Sequence, residues 1–310
     1  MREASTPESS ESEAVSGVVF LFVIASPKRG AMKSALRNAT LLLIVVGAYQ
    51  PAKAQTSEVA QLLRDVLATY ASLQSYSATG EVVSGVTTDG SSAILPAGQS
   101  QEIHSTFTIK VARPQMYKIV WEQKTGQKDF SFSSKGAVWS DGESRFVSIA
   151  GQTMQPSDTE TAIAMATGVS GGAANTIPSI FFSLSSNGIS AVSNVAVLAG
   201  GELVDGEDCY VVKAHAGSMD RTFWISKASK LILQEMTVSS GSTDAPELTE
   251  SDLRKVLESM GQKATDDAVR TLRDQLANTR QIMKSVKSSF RIERHREIKT
   301  NAPMLPADFR

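Results

Sequence analysis

The stretch Gln101–Lys124, QEIHSTFTIKVARPQMYKIVWEQK, decides the fold, because it predicts two β-strands that meet at an Arg-Pro corner. On both sides of the corner, apolar and polar side chains alternate with a period of two, which is typical of strands with one buried face. Proline excludes helical geometry at Arg113 and supplies no backbone donor, so we expect Arg113-Pro114 at an edge or corner of a sheet. The apolar face carries Ile103, Phe107, Ile109, Val111, Tyr117, Ile119 and Trp121.

Similar alternating segments on both sides of this hairpin predict a larger antiparallel sheet. They lie near 77–87, 101–111, 115–123, 128–134, 137–140 and 144–151, and later near 188–198, 208–214, 221–226 and 231–239. Asp141-Gly142 and Asp205-Gly206 separate strands at points where tight turns need positive φ. Because the links in the first half are too short for crossover helices, a Rossmann-type sheet is excluded.

Helical periodicity occurs at both ends of this strand pattern. From Ser57 to Leu73 the apolar residues repeat at helical spacing, which predicts an amphipathic helix packed on the sheet. Thr249 can cap a helix that ends at Met260, and Thr265 can cap a second one whose apolar stripe runs to Val286. Together they predict a helical hairpin at 248–288, inserted before a final strand.

The middle of the chain changes to a strongly apolar helical pattern. Residues 156–185 predict two short helices around a hinge that contains Gly168, Gly171 and Gly172. These helices are too apolar to lie in water, so they pack on the sheet. Two interpretations stay open: simple core packing, or a lid that opens at the glycine hinge above a ligand site.

The N-terminal residues predict export. Met32 begins a basic segment, residues 39–48 are apolar, and Ala52-Lys53-Ala54 is a cleavage sequence of the A-x-A type. We therefore expect residues 1–54 to comprise an extension and a signal peptide, with translation starting at Met32 and cleavage after Ala54. Residues 55–310 are then one exported domain, located in the periplasm.

Composition and charge exclude several classes of protein. The chain has 310 residues, of which 41% are hydrophobic and 20% charged, as in ordinary globular proteins. Its formal net charge of -1, together with the lack of a basic run interleaved with aromatic residues, argues against nucleic-acid binding. Cys209 is the single cysteine, so it forms no intramolecular disulfide or cysteine metal cage, and we expect a small buried apolar side chain.

Recognisable catalytic motifs are lacking. The three histidines, His104, His215 and His295, are too far apart for metal-ligand spacing, and none accompanies a P-loop or a nucleophile elbow. Most carboxylates lie in Asp-Gly turns or on helix faces, where turn formation and the helix dipole explain them. We therefore expect no enzymatic activity, no cofactor and no metal.

A basic segment follows the predicted hairpin. Residues 280–299 contain seven basic and two acidic residues. A segment of this kind is either solvated surface or a binding surface for an anionic lipid or a protein.

Several motifs, in this order, resemble the LolA/LolB-like superfamily of periplasmic lipoprotein carriers, including its uncharacterised predicted periplasmic members. They are Leu73-Gln74-Ser75-Tyr76-Ser77-Ala78 after the first helix, the strand pair Phe107–Trp121 with its Arg-Pro corner, Ser140-Asp141-Gly142, Val204-Asp205-Gly206, Cys209-Tyr210-Val211-Val212 and Phe223-Trp224-Ile225. The resemblance covers about residues 56–240 and the last strand. It implies an α+β fold, an open and curved antiparallel half-barrel whose concave face is covered by helices, to which this chain adds the hairpin.

The resemblance also implies a function, namely binding or carrying a lipid or a lipoprotein acyl chain between the sheet and a helical lid. Arg113 is then expected to hold the lid, the alternative being an arginine that caps backbone carbonyls. The expected lining is Phe107, Ile109, Tyr117, Ile119, Trp121, Phe130 and Phe132 from the sheet, with Ile163, Met165, Ile180 and Phe181 from the lid. Which face of the strands points inward stays open. An envelope sensor or scaffold that binds a protein partner through residues 248–299 is the alternative function, and peripheral membrane contact is compatible with both.

Overall fold

The computed structural model describes residues 57–89, 100–127, 130–149, 151–185, 188–192, 196–216, 218–240 and 248–310. The predictions for residues 1–54, including the start at Met32 and cleavage after Ala54, lie outside these ranges.

The described strands form one open antiparallel sheet of eleven strands. In chain order they are β1 (Ser75–Thr88), β2 (Ser100–Ala112), β3 (Met116–Gln127), β4 (Phe130–Asp141), β5 (Arg145–Ile149), β6 (Gln152–Met154), β7 (Ala196–Val204), β8 (Glu207–Ala216), β9 (Met219–Ser226), β10 (Ile232–Ser240) and β11 (Val286–Thr300). Their order across the sheet is β6-β5-β4-β3-β2-β1-β11-β10-β9-β8-β7, with β6 and β7 at the two edges. The predicted curved, open antiparallel sheet with covering helices is thereby confirmed.

Four helices pack on one face of this sheet, which we call the inner face. They are α1 (Ser57–Ser72), α2 (Thr159–Val169), α3 (Thr176–Phe181) and α4 (Gly188–Val192), and all four contribute to the largest hydrophobic cluster. The predicted stripe of α1 is buried there, with Val66 and Tyr70 fully inaccessible. Asp158 begins α2 by accepting a hydrogen bond from the Thr161 backbone nitrogen at 2.7 Å. We call residues 159–181 the helical layer.

The predicted C-terminal hairpin is present as α5 (Glu250–Ser259) and α6 (Asp266–Lys284), between β10 and β11. Thr249 and Asp252 form a capping box at the start of α5. The two helices share a small core of their own, formed by Leu253, Leu257, Val269, Leu272 and Leu276. The end of α5 contacts the main body, where the Ser157 nitrogen donates to the Ser259 carbonyl at 3.0 Å.

Some predicted element boundaries were wrong, for identifiable reasons. The segments 128–134 and 137–140 belong to one strand, β4. Gly136 interrupts the apolar pattern because a Cβ there would overlap the Trp121 indole on β3, not because the chain turns. Residues 188–192 are helical although predicted as strand, since a short apolar run does not distinguish the two.

One further expectation is wrong, and a second one, the position of Arg113-Pro114 at an edge or a corner, is narrowed to a corner. Val286 was assigned to the stripe of the second hairpin helix but is the first residue of β11, which lies between β1 and β10 at the centre of the sheet. Arg113-Pro114 joins β2 and β3, which are neighbouring interior strands, so the corner is the end of a hairpin rather than part of an edge strand.

Candidate ligand-binding site

The residues predicted to line a ligand site lie together between the sheet and the helical layer. From β2 and β3 these are Phe107, Ile109, Tyr117, Ile119 and Trp121, and from the layer Ile163, Met165, Ile180 and Phe181. None of these nine side chains is more than 3% exposed. Phe130 and Phe132 belong to β4, but their side chains lie outside the part of the structure that is described.

The apolar face of the β2–β3 hairpin therefore points toward the helices. His104, Thr106 and Lys110 on the opposite face are exposed, as the alternation predicts. Since the layer covers the inner face directly, the apolar surfaces of sheet and helices occlude each other. A ligand at this place has to displace part of the helical layer.

Arg113 connects three elements at one end of this interface. Its guanidinium group lies 4.4 Å from the ring centroid of Phe181, at the end of α3. It also donates to the carbonyls of Leu73, Tyr70 and Ala71 at the end of α1, over 3.3 to 3.4 Å. The residue thus makes the backbone contacts of a capping arginine and, in addition, a cation–π contact with the layer.

A buried charged cluster, which was not predicted, occupies the inner face farther along the sheet. Glu235 on β10 and Glu293 on β11 are directly opposite each other in register and are 1% and 0% exposed. Carboxylates in this arrangement repel one another unless cations compensate them. Arg221 on β9 donates from Nε to Glu235 at 3.0 Å, and Arg291 on β11 lies 3.3 Å from Glu235 and 3.5 Å from Glu293.

The helical layer contributes one hydroxyl group to this cluster. Thr176, the first residue of α3, places its Oγ1 2.6 Å from Glu235 Oε2 and 2.6 Å from Glu293 Oε2. Burial raises the pKa of the Glu235 carboxyl, but the charges of Arg221 and Arg291 outweigh it and lower the pKa from 4.5 to about 2. Glu235 is therefore an anion that the arginines and the layer hold in place.

Two glycines permit the close approach of helices to these arginines. Gly172, in the link between α2 and α3, has a φ of +107°, and a Cβ there would overlap the guanidinium group of Arg291. Its carbonyl accepts a hydrogen bond from Arg291 at 3.3 Å. At Gly188 a Cβ would overlap Arg221. The glycine-rich link was predicted as a hinge, and the structure places it against the charged cluster.

The cluster continues to His295 on β11 and Tyr76 on β1. The ring centroids of these residues are 6.5 Å apart, and both side chains are buried. His295 Nε2 lies 3.0 Å from Glu293 Oε1 without forming a hydrogen bond to it. Within the described ranges, Tyr76 Oη, Glu293 Oε1 and both ring nitrogens of His295 have no hydrogen-bond partner.

The predicted basic segment is not a continuous surface. Arg291 points inward to the buried glutamates, whereas Arg294 and Arg296 on the outer face lie 3.8 and 3.0 Å from Glu81. The sequence contains a signal for this, because Arg291, Glu293 and His295 alternate with other residues at a period of two and so share one face. Because a charged strand face is usually solvated, this alternation does not by itself predict that Arg291, Glu293 and His295 are buried.

Comparison with solved structures gives similarities at low sequence identity. LprF from Mycobacterium bovis matches with a TM-score of 0.37 and 12% identity, over 81% of this chain and 97% of that chain. A DUF1329 family protein from Desulfovibrio piger ATCC 29098 matches with a TM-score of 0.28 and 10% identity, over 83% and 98% of the two chains. Neither similarity is close enough to transfer a site or a ligand. Comparison with curated proteins gives no match.

Fold and site together define a class of protein in which short apolar helices cover the inner face of an open antiparallel sheet. The chain belongs to the family described as predicted periplasmic protein (DUF2092), whose family model matches residues 60–251. The expected membership of a predicted periplasmic family is thereby confirmed, whereas a relation to the lipoprotein carriers stays a prediction. In the described ranges, no helix has the length and apolar character needed to cross a membrane.

Proposed function

We propose that this protein binds the acyl chain of a lipid or lipoprotein between the inner face of its sheet and the helical layer, as a periplasmic carrier. The observation that carries the proposal is the apolar interface itself, in which nine buried side chains from two strands and two short helices meet. When the interface opens around an acyl chain, contacts between the sheet and the helices are replaced by contacts of each with the chain. Little apolar surface is therefore exposed to water. Burial of each methylene group contributes about 0.8 kcal/mol.

The connection between α2 and α3 supports opening at the helical layer. Gly171 and Gly172 both have positive φ, at +70° and +107°, and the link consists of the six residues 170–175, which form turns. Glycines adopt such backbone conformations without steric cost, so the two helices can change their relative orientation there. The proposal assigns the protein a binding role and no catalytic step.

An engineered disulfide tests whether the layer must move. A Cβ at position 171 would lie 3.4 Å from Ser105 Oγ on β2, so the pair Gly171→Cys and Ser105→Cys is within reach of a disulfide. Cys209 is buried in a separate cluster and does not compete for this bond. We expect the oxidised variant to lose displacement of a fluorescent acyl probe and the reduced variant to retain it.

Protein isolated from its own cell envelope provides the complementary measurement. Native mass spectrometry should show a bound lipid that leaves on denaturation. If no lipid copurifies and no acyl probe binds to the reduced protein, the proposed function is wrong. Equal probe binding by the oxidised and reduced variants would show that the chain binds elsewhere.

The separate core of the α5–α6 hairpin favours a second candidate function, a sensor or scaffold that contacts a protein partner. That core is distinct from the main cluster, so substitutions on the surface of the hairpin can change what it binds without disturbing the sheet. The test is removal of residues 248–284, since β11 begins at Val286 and must stay intact. Loss of an envelope partner with unchanged acyl binding would support the sensor or scaffold function. Loss of acyl binding would show that the hairpin contributes to the carrier function.

A further inference from the structure

We propose that the buried charged cluster is a recognition site for an uncharged, hydroxyl-bearing lipid head group, which takes the place of the Thr176 hydroxyl when the helical layer opens. The inference rests on the proposed acyl-binding function and specifies its ligand class. The cluster lies on the same inner face as the apolar lining, and Phe107 of that lining has its ring centroid 5.4 Å from that of His295. An acyl chain bound among the apolar residues therefore has its end within reach of the charged groups.

Thr176 shows which chemical group the cluster accommodates. Its hydroxyl lies 2.6 Å from both Glu235 and Glu293, and it is the layer's own contribution to these two carboxyl groups. Displacement of α3 removes that hydroxyl and leaves the buried carboxylate oxygens of Glu235 and Glu293 without its hydrogen bonds, which is unfavourable. A hydroxyl group of a ligand restores the same contacts.

The charge balance of the cluster argues against an anionic head group. Arg221 pairs with Glu235 and Arg291 lies against both glutamates, so the formal charges of these four side chains cancel. A carboxylate or phosphate would add a buried negative charge for which the cluster holds no further arginine. An ester without a hydroxyl group could not donate to the glutamates.

Buried polar atoms near the glutamates leave hydrogen-bonding capacity unused. Tyr76 Oη, Glu293 Oε1 and the His295 ring nitrogens have no hydrogen-bond partner among the described residues, although His295 Nε2 lies 3.0 Å from Glu293 Oε1. These side chains are at least 97% buried. Buried polar atoms of this kind are normally satisfied in folded proteins. On this proposal, a head group with two neighbouring hydroxyl groups, such as glycerol, places one of them against the glutamates and the other against Tyr76.

Three ligands with the same acyl chain separate the head-group effect from chain binding. Monopalmitoylglycerol, palmitic acid and methyl palmitate are compared by displacement of a fluorescent acyl probe. We expect monopalmitoylglycerol to bind about tenfold more tightly than either of the others, since a hydrogen bond to a charged group is worth roughly that factor.

Two phenol variants test the site within the protein. Tyr76→Phe should leave the stability of the ligand-free protein unchanged or slightly higher, because its hydroxyl has no partner, while weakening only monopalmitoylglycerol. Tyr70→Phe is the matched control, because Tyr70 Oη accepts from the Ile232 nitrogen at 3.1 Å. That variant should lower stability without changing the preference between ligands.

A second matched pair tests the exchange of hydroxyl groups. Thr176→Val removes the hydroxyl from the closed state and should therefore tighten the binding of all three ligands severalfold, because each of them displaces the layer. Thr167→Val makes the same change in α2, where the hydroxyl bonds to the Ile163 carbonyl of its own helix, and should leave all three affinities unchanged.

Three outcomes would overturn the inference. Equal affinity for the three ligands would reject it while leaving the acyl-binding function intact. Preference for palmitic acid would reject the uncharged class. Failure of every acyl compound to displace the probe would reject the proposed function and, with it, this inference.

Discussion

The guanidinium group of Arg113 stacks 4.4 Å from the ring centroid of Phe181 while donating to the last carbonyls of α1. One side chain at the β2–β3 corner thus holds both the first helix and the end of the helical layer. A contact of this kind stabilises by roughly 1 kcal/mol where it is partly desolvated.

Arg113→Ala should increase the protease sensitivity of the layer severalfold while the sheet stays folded, because both groups of contacts are lost. The matched variant Phe181→Leu removes the aromatic ring but retains the arginine and its bonds to α1. Limited proteolysis of the wild type, both single variants and the double variant measures the coupling. If the two changes act independently, the stacking contributes nothing to holding the layer, and Arg113 acts only as a helix cap.

Gly172→Ala should destabilise the protein more than an ordinary glycine substitution at positive φ. The backbone strain of a left-handed alanine costs about 1 to 2 kcal/mol, and overlap with Arg291 adds a comparable amount. Gly142 is the matched control, because its φ of +97° is similar but a Cβ there makes only ordinary contact with Met116 at 3.6 Å. Urea denaturation of Gly172→Ala and Gly142→Ala should therefore differ by about 1 to 3 kcal/mol in the free energy of unfolding. Equal values would mean that Arg291 moves aside without cost.

Acid should destabilise the protein through Glu235. Its pKa in the folded state is lowered from 4.5 to about 2, so its contribution to stability is present above pH 4.5 and is lost as the pH falls toward 2. The full contribution is on the order of 3 kcal/mol. Urea titrations between pH 6 and 3 should give a smaller pH dependence for Glu235→Gln than for the wild type. Glu81→Gln, on the outer face, is the control, and an identical pH dependence in the wild type and Glu235→Gln would contradict the assignment.

The contrast between the two halves of the inner face explains what could be predicted from sequence. The β2–β3 hairpin is local, so the alternation of Phe107, Ile109, Tyr117 and Ile119 sufficed to predict that these residues share one face. That this face points toward the helices was established only by the structure. The pairing of Glu235 with Glu293 joins strands separated by the α5–α6 hairpin, and register across such an insertion is not encoded in local periodicity. A strand face that carries charged residues is also predicted to be solvated unless the helix that covers it is known. Thr176 and Gly172 acquire their roles only once that helix is placed.

Gly261→Ala should detach the α5–α6 hairpin from the main body. Gly261 follows α5 with a φ of +73°, and a Cβ there would overlap the Gln155 carbonyl oxygen, just before α2. The hairpin therefore packs against the segment that leads into the helical layer, and Met260 belongs to the main hydrophobic cluster. Gly206→Ala is the control, because its φ of +86° imposes similar strain while nothing lies within 4 Å of the added Cβ.

We expect Gly261→Ala to raise hydrogen exchange in residues 151–160 and to accelerate acyl-probe entry, since the start of α2 loses a neighbour. Gly206→Ala should lower the free energy of unfolding through similar backbone strain, but it should change neither hydrogen exchange in residues 151–160 nor acyl-probe entry. If hydrogen exchange near α2 is unchanged in Gly261→Ala, the hairpin does not restrain the helical layer.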